Sequence, residues 1–256
     1  MKKPRVGAQL YTVRHATRTI PDIVETFRKV REIGYTSVQV SAFGPVDKGE
    51  LTRAIRDSGL RVDSTHAGWE RFLNDLDALI EEHKAWGCRH PAVGSLPGEY
   101  RTADGLKRFL DELAPVAARL AKEGMDFSYH NHDFEFARHN GRTWLRALYE
   151  DAPPAMLKAE LDTYWIQSGG GSPAAWLKFC AGRMPVIHLK DMIFVPGEGK
   201  RMAEVGEGNL DWPAILKAAA EGGVETMFVE QDDGYGKDPF DCLAVSYRNL
   251  KAMGYA

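Results

Sequence analysis

Apolar and polar positions alternate along the chain in two rhythms. Eight short apolar or β-branched runs read as strands: "VGAQLYT" from Val6, "SVQVS" from Ser37, "RVDSTHA" from Arg61, "HPAVGS" from His90, "DFSYHNH" from Asp126, "KAELDTYW" from Lys158, "PVIHLKD" from Pro185 and "TMFVEQD" from Thr226. A stretch with helical spacing follows each run. In the clearest, "ADGLKRFLDELAPVAARLAKEG", Leu106, Phe109, Leu110, Leu113, Val116, Ala117 and Leu120 share one face, and Gly124 closes it. Glycine punctuates "FRKVREIG", "IRDSG", "HKAWG" and "KAAAEGG" in the same way, just before the next strand.

Eight strand and helix pairs in 256 residues give 32 residues per unit, which predicts a single (β/α)8 TIM barrel domain over residues 1–256. An open doubly wound sheet is the alternative, but no strand runs into the Gly-x-Gly-x-x-Gly turn of that fold.

A barrel of this kind does its chemistry at the carboxyl ends of its strands, so strand-end polar residues are the candidates. His66 ends strand three, His130 and His132 end strand five, Asp162 ends six, His188 ends seven and Glu230 ends eight. Residues two apart on a strand face the same way, so the pattern turns His130 and His132 together toward the axis, with Asp133 and Glu135 in the following loop. Imidazoles and carboxylates converging from several strands suit a divalent ion, with Mn2+ first and Co2+, Zn2+ or Mg2+ as alternatives. A hydrogen-bonded polar network without metal is the competing reading.

Composition narrows the class. With 33 Lys and Arg against 36 Asp and Glu, the net charge is −3, and the basic footprint of a nucleic-acid binder is missing. Cys88, Cys180 and Cys242 are dispersed in no metal-type spacing, which together with the lack of a long apolar run or an apolar leader predicts a cytoplasmic protein without a membrane partner. No heptad marks an oligomer interface, and a homo-oligomer stays open. "GGGS" at 169–172 before Pro173 reads as a turn with Ser172 as N-cap rather than a phosphate cradle. Outside the mouth, His15, His83, His90 and His139 are assigned to the surface.

The motifs "SYHNHDFEF", "LDTYW", "VIHLKD", "EVGEGNLDW" and "VEQDD" occur in the order, and at the strand ends, that make the chain resemble the xylose isomerase-like barrel superfamily. That group is labelled sugar phosphate isomerases and epimerases and includes inosose dehydratase and ketose 3-epimerases. The resemblance implies one divalent ion held by His130, Asp162, His188 and Glu230, at intervals of 32, 26 and 42 residues, with His132 or Glu135 as alternatives at strand five. Many relatives read Glu-Asn-His where this chain reads His130-Asn131-His132, so the two-carboxylate proton transfer of a ketose epimerase is not simply copied. The Tyr-His-x-His pattern is closer to inosose dehydratase and to relatives acting on 3-keto sugars.

The expected substrate is a small keto sugar or cyclitol, deprotonated beside its carbonyl to an enediolate. His132 or Glu230 would take the proton, and Lys190 would stand beside the oxyanion. Isomerisation or epimerisation is the first reading, a lyase or dehydratase the second; an endonuclease IV-like enzyme and a non-catalytic sugar-binding protein trail both. His66, Glu135, Trp165 and Arg201 are the expected substrate contacts, with Trp69 and Phe43 as further aromatic walls. The glycine-rich segment 194–212 reads as a lid, carrying Lys200 and Arg201 toward an anionic group.

Overall fold

The computed structural model describes residues 3–255. Eight parallel strands surround one axis: β1 (Arg5–Gln9), β2 (Ser37–Val40), β3 (Arg61–Ala67), β4 (His90–Val93), β5 (Ser128–His130), β6 (Lys158–Glu160), β7 (Val186–Leu189) and β8 (Thr226–Val229). They pair in the order β6–β5–β4–β3–β2–β1–β8–β7. The remaining gap between β6 and β7 narrows through the parallel bridge Asp162–His188 and the bond from His188 N–H to Leu161 O at 2.9 Å. The result is the TIM barrel that the alternating pattern predicts.

The principal helices are α1 (Ile20–Ile33), α2 (Lys48–Ser58), α3 (Leu76–Trp86), α4 (Ala103–Lys122), α5 (Trp144–Asp151), α6 (Pro173–Phe179), α7 (Trp212–Glu221) and α8 (Pro239–Ala252). Local chemistry sets their ends. Thr102 caps α4 by accepting from Gly105 N–H, and Gly124 follows the helix at φ +72°, where a side chain would be strained. The apolar core lies between strands and helices, where Val38, Tyr129, Ile187 and Met227 meet residues such as Phe27, Phe109 and Leu148. Trp69 belongs to that core, packed against Phe72, Phe109 and Phe127, and Phe43 packs on Phe27; neither lines the mouth. Ser172 caps α6 with Pro173 in its first turn, as expected.

The barrel interior is polar instead of aliphatic. At the floor Asp63 Oδ2 accepts from Arg5, Ser37 and Thr226. Higher up stand Gln9, Gln39, Ser64, Ser128 and Glu160, all fully buried. Phe228 is the large apolar inward residue, and it fits because Gly7 opposite has no Cβ, which would approach the ring to 2.7 Å.

Several elements depart from the sequence expectation. The first strand stops at Gln9 and continues as a 3-10 helix, because the Gln9 side chain caps Tyr11 N–H. Strand six stops at Glu160, and Asp162 caps the short helix Thr163–Ser168 by accepting from Trp165 N–H. His83 and His90 are buried, not surface: His83 bridges Thr65 Oγ1 and Leu79 O, each at 2.7 Å, and His90 meets Asp126 at 3.0 Å. The first part of the segment 194–212, read as a lid, lies in an antiparallel hairpin, Asp191–Val195 with Gly199–Ala203.

Asp191 ties the chain beyond that hairpin down. Its carboxylate accepts from the backbone N–H of Met192, Gly206, Gly208 and Leu210 and from Trp212 Nε1. Removing the acceptor strands these donors, so Asp191→Ala is expected to lose about 2–4 kcal/mol of stability, read as a lower urea midpoint with an unchanged slope.

Candidate active site

The carboxyl ends of the strands enclose a cavity of about 340 Å³ whose wall includes Tyr11, His66, His130, His132, Lys190, Glu230 and Asp232. Each side chain arrives there for a local reason. His130 is the last residue of β5 and His188 lies within β7, both on inward positions. His132 lies beyond the strand, in a turn held by the bond from its own N–H to Glu135 Oε2 at 2.8 Å. Asn131 Oδ1 accepts from Asp162 N–H at 3.1 Å and so couples the ends of β5 and β6.

Charge organises the upper layer. Lys190 Nζ lies 2.9 Å from Glu230 Oε2, 3.2 Å from Asp162 Oδ2 and 3.0 Å from Asp232 Oδ1. Burial lowers its proton affinity, but those carboxylates outweigh it and hold the ammonium above its ordinary value. His188 Nδ1 meets Glu230 Oε2 at 2.8 Å, and its Nε2 lies 3.1 Å from Glu160 Oε1. Burial opposes protonation of this ring, yet Glu230 and Glu160 carry it up to about 10. For Glu230, burial is outweighed by Lys190 and His188, and its carboxyl falls well below the usual range. Burial and the Glu230 charge push Asp232 up to about 6.

His130 and His132 are held in the neutral form. Burial, then His188 and His66, force His130 well down, while burial and the Lys190 charge bring His132 to about 3. One ligand atom each from His130, Asp162, His188 and Glu230 lies within 4.8 Å of the others. His130 Nδ1 is buried without a hydrogen-bond partner, and Asp162 Oδ2, also without a hydrogen bond, has only the Lys190 ammonium at 3.2 Å. An orphaned ring nitrogen in a mixed nitrogen and oxygen donor set fits a divalent cation, and the buried cluster could hold one.

The remaining expected contacts divide. His66 reaches the cavity and bonds Glu160 at 2.5 Å, while Trp165 stands beside His132 and Lys190 at 5.2 and 5.3 Å. Glu135 is corrected to a core residue: it is 1% exposed, accepts from Tyr129 OH at 2.7 Å, and is pushed by burial up to about 7. Arg201 is corrected as well, because the hairpin pairs it with Glu198 and stacks it on Tyr235, off the cavity wall.

Glu160, Gln39 and Asp232 were not foreseen. Glu160 and Asp232 stand two residues from Asp162 and Glu230, the same period that groups His130 with His132, so the signal was present. Gln39 carried none, as its role in bonding Glu160 Oε2 at 2.8 Å depends on pairing across the barrel.

The His132 shift has a definite sign. The unfolded residue takes up its proton near 6.5 and the folded one near 3, so this group lowers stability as pH falls below about 6.5. In long-range 1H–15N spectra the His132 ring is expected to stay a neutral tautomer from about pH 8 to pH 5. Titration near 6.5 would contradict the described environment.

With the barrel and its mouth described, comparison with known proteins places the chain. A sugar phosphate isomerase/epimerase from Parabacteroides distasonis is similar at TM-score 0.80 and 22% identity, over 98% of this chain and 95% of that one. A structure named L-ribulose 3-epimerase is similar at 0.74 and 18%, over 98% and 94%. A probable 3-DHS dehydratase from Bacillus anthracis is similar at 0.70 and 16%, over 96% and 98%. At these identities the likeness shows a shared fold. No curated protein matches the chain by sequence. The family described as xylose isomerase-like TIM barrel matches residues 27–239, and the chain belongs to that family.

Proposed function

We infer that the protein is a divalent-metal-dependent isomerase or epimerase of a small keto sugar or cyclitol. The observation that carries this reading is the buried His130, Asp162, His188 and Glu230 cluster, opening on a cavity that also presents neutral His132 and cationic Lys190. A divalent ion bound by those four residues, with Mn2+ the first candidate, would supply Lewis-acid polarisation of the substrate carbonyl.

The chain's own groups divide the remaining work. Neutral His132 has a free lone pair to accept the proton from the carbon beside the carbonyl. Lys190 stands ready for the oxygen on which negative charge develops. The two steps reinforce one another: the Lys190 charge depresses His132, so an oxyanion forming beside Lys190 raises His132's proton affinity as the proton arrives. Glu230 is less suited as the first base, because Lys190 and His188 hold it ionised and paired. Trp165, off the cavity wall, packs beside His132 and Lys190 and supports both side chains. Return of the proton to another carbon, or to the other face, gives the isomer or epimer.

A second reading, elimination, has its own support in Asp232. This carboxyl lines the cavity, and its raised value makes it an acid able to protonate a departing hydroxyl or glycosyl oxygen. Similar barrels named as epimerases and as a probable dehydratase both support a shared deprotonation step. The net charge of −3 and the polar cavity favour a small-molecule substrate over nucleic acid, and the dispersed, buried cysteines suit a cytoplasmic setting. Among the described residues no helix is long and apolar enough to cross a membrane.

The test is NMR in deuterated water with Mn2+-loaded protein and a panel of ketohexoses, inososes and 3-keto-glycosides. Metal-dependent deuterium incorporation with unchanged composition is expected, and His132→Gln should slow it about 10²–10⁴-fold. Release of water or an aglycone would move the protein to the lyases. Absence of exchange with every substrate would overturn the reading.

A further inference from the structure

Below the upper cluster, nitrogens of three imidazoles converge on one carboxylate oxygen. Glu160 Oε1 lies 2.5 Å from His66 Nε2, 3.1 Å from His188 Nε2 and 3.7 Å from His130 Nδ1. Gln39 Nε2 donates to the other oxygen, Oε2, at 2.8 Å and fixes the carboxylate from behind. Oε1 is therefore the oxygen presented to the three rings. Their centroids stand 4.9, 5.3 and 4.4 Å apart, close enough to share one small centre.

A hydrogen-bonded network does not account for all of this. His130 is 3% exposed, and its Nδ1 has no hydrogen-bond partner; it points at Oε1 from too far away to bond. A four-coordinate cation would use that lone pair together with the other three donors, and one ligand atom from each residue lies within 4.8 Å of the rest. Among the described residues no Lys or Arg pairs with Glu160, whose charge is met only by imidazole rings; a cation bound there would take over that role as His188 gives up its proton.

We propose that His66, His130, Glu160 and His188 form a second divalent-cation site, an alternative to the upper set, that takes nitrogen-preferring ions such as Co2+ and Zn2+. The proposal rests on the reading that this barrel binds a divalent ion, and it adds where such an ion sits. Three imidazoles and one carboxylate favour Co2+ and Zn2+, while the upper set, with two of each, is better matched to Mn2+. The two sites exclude one another. His188 faces Glu230 through Nδ1 and, through Nε2, both Gln39 Oε1 at 2.6 Å, a bond that a cation would displace, and Glu160 Oε1 at 3.1 Å; a neutral imidazole has a single lone pair, so each chain holds one ion in one place or the other.

The experiment uses the full chain, stripped with chelator and titrated with Co2+ followed by visible absorption and with Mn2+ followed by electron paramagnetic resonance. Glu160→Gln and His66→Gln are each expected to weaken Co2+ at least about 10-fold and alter its spectrum, with Mn2+ affinity kept within about 3-fold. Asp162→Asn should show the reverse preference. His66 lies at the cavity wall, so its variant decides the matter if Glu160→Gln does not fold. Unchanged Co2+ affinity and spectrum in these variants, or equal losses for both metals, would overturn the second site and leave the metal reading standing. A wild-type chain that binds neither ion would overturn both.

Discussion

Pairing of opposite charges inside the barrel is the constraint on which the rest of the structure depends. Glu160 and Glu230 stand at opposite nitrogens of His188, and Lys190 joins Glu230, Asp162 and Asp232. Each ionised group so buried would cost several kcal/mol alone, and the cluster persists because every charge has an opposite neighbour. Most barrels of this type fill the interior with branched aliphatic layers. Here Gln9, Gln39, Ser64 and Ser128 hold those places, and Gln39 links the layers by bonding both Glu160 and His188.

Reactivity follows from the same balance. The charges that keep His188 protonated and Glu230 ionised also leave His130 and His132 neutral, because no carboxylate pairs closely enough to offset their burial. Neutral imidazole is the form that binds a cation or accepts a proton. One arrangement thus leaves His130 and His132 in the form that the proposed ligand and base need, whereas His188 would have to release its proton to a bound cation. Beyond the mouth, Asp191 gathers five donors and ties the hairpin to the segment leading into α7.

The fold was legible because it repeats. Eight apolar runs, each followed by a helical stretch, left few alternatives, and each of the eight overlaps a barrel strand. The strand-end rule then brought His66, His130, Asp162, His188 and Glu230 to one mouth without knowledge of any contact. What it missed depends on side-chain partners. Glu135 looked like a loop carboxylate, but its bond to Tyr129 OH draws it into the core. Arg201 looked free, but the hairpin gives it Glu198 and Tyr235. Glu160 was overlooked although it shares the inward face with Asp162; its meaning comes from rings on three other strands, which one-dimensional spacing does not reveal.

The central claim is that the converging cluster at the mouth is a divalent-metal centre. Its most direct test is the metal content of chelator-stripped protein after equilibrium dialysis against Mn2+ or Co2+, with removal by a second chelator treatment. The account predicts one tightly held ion per chain, with the fold intact before and after loading. A chain that retains no stoichiometric ion at any divalent metal tested would contradict it and leave the buried histidines and carboxylates as a structural network alone.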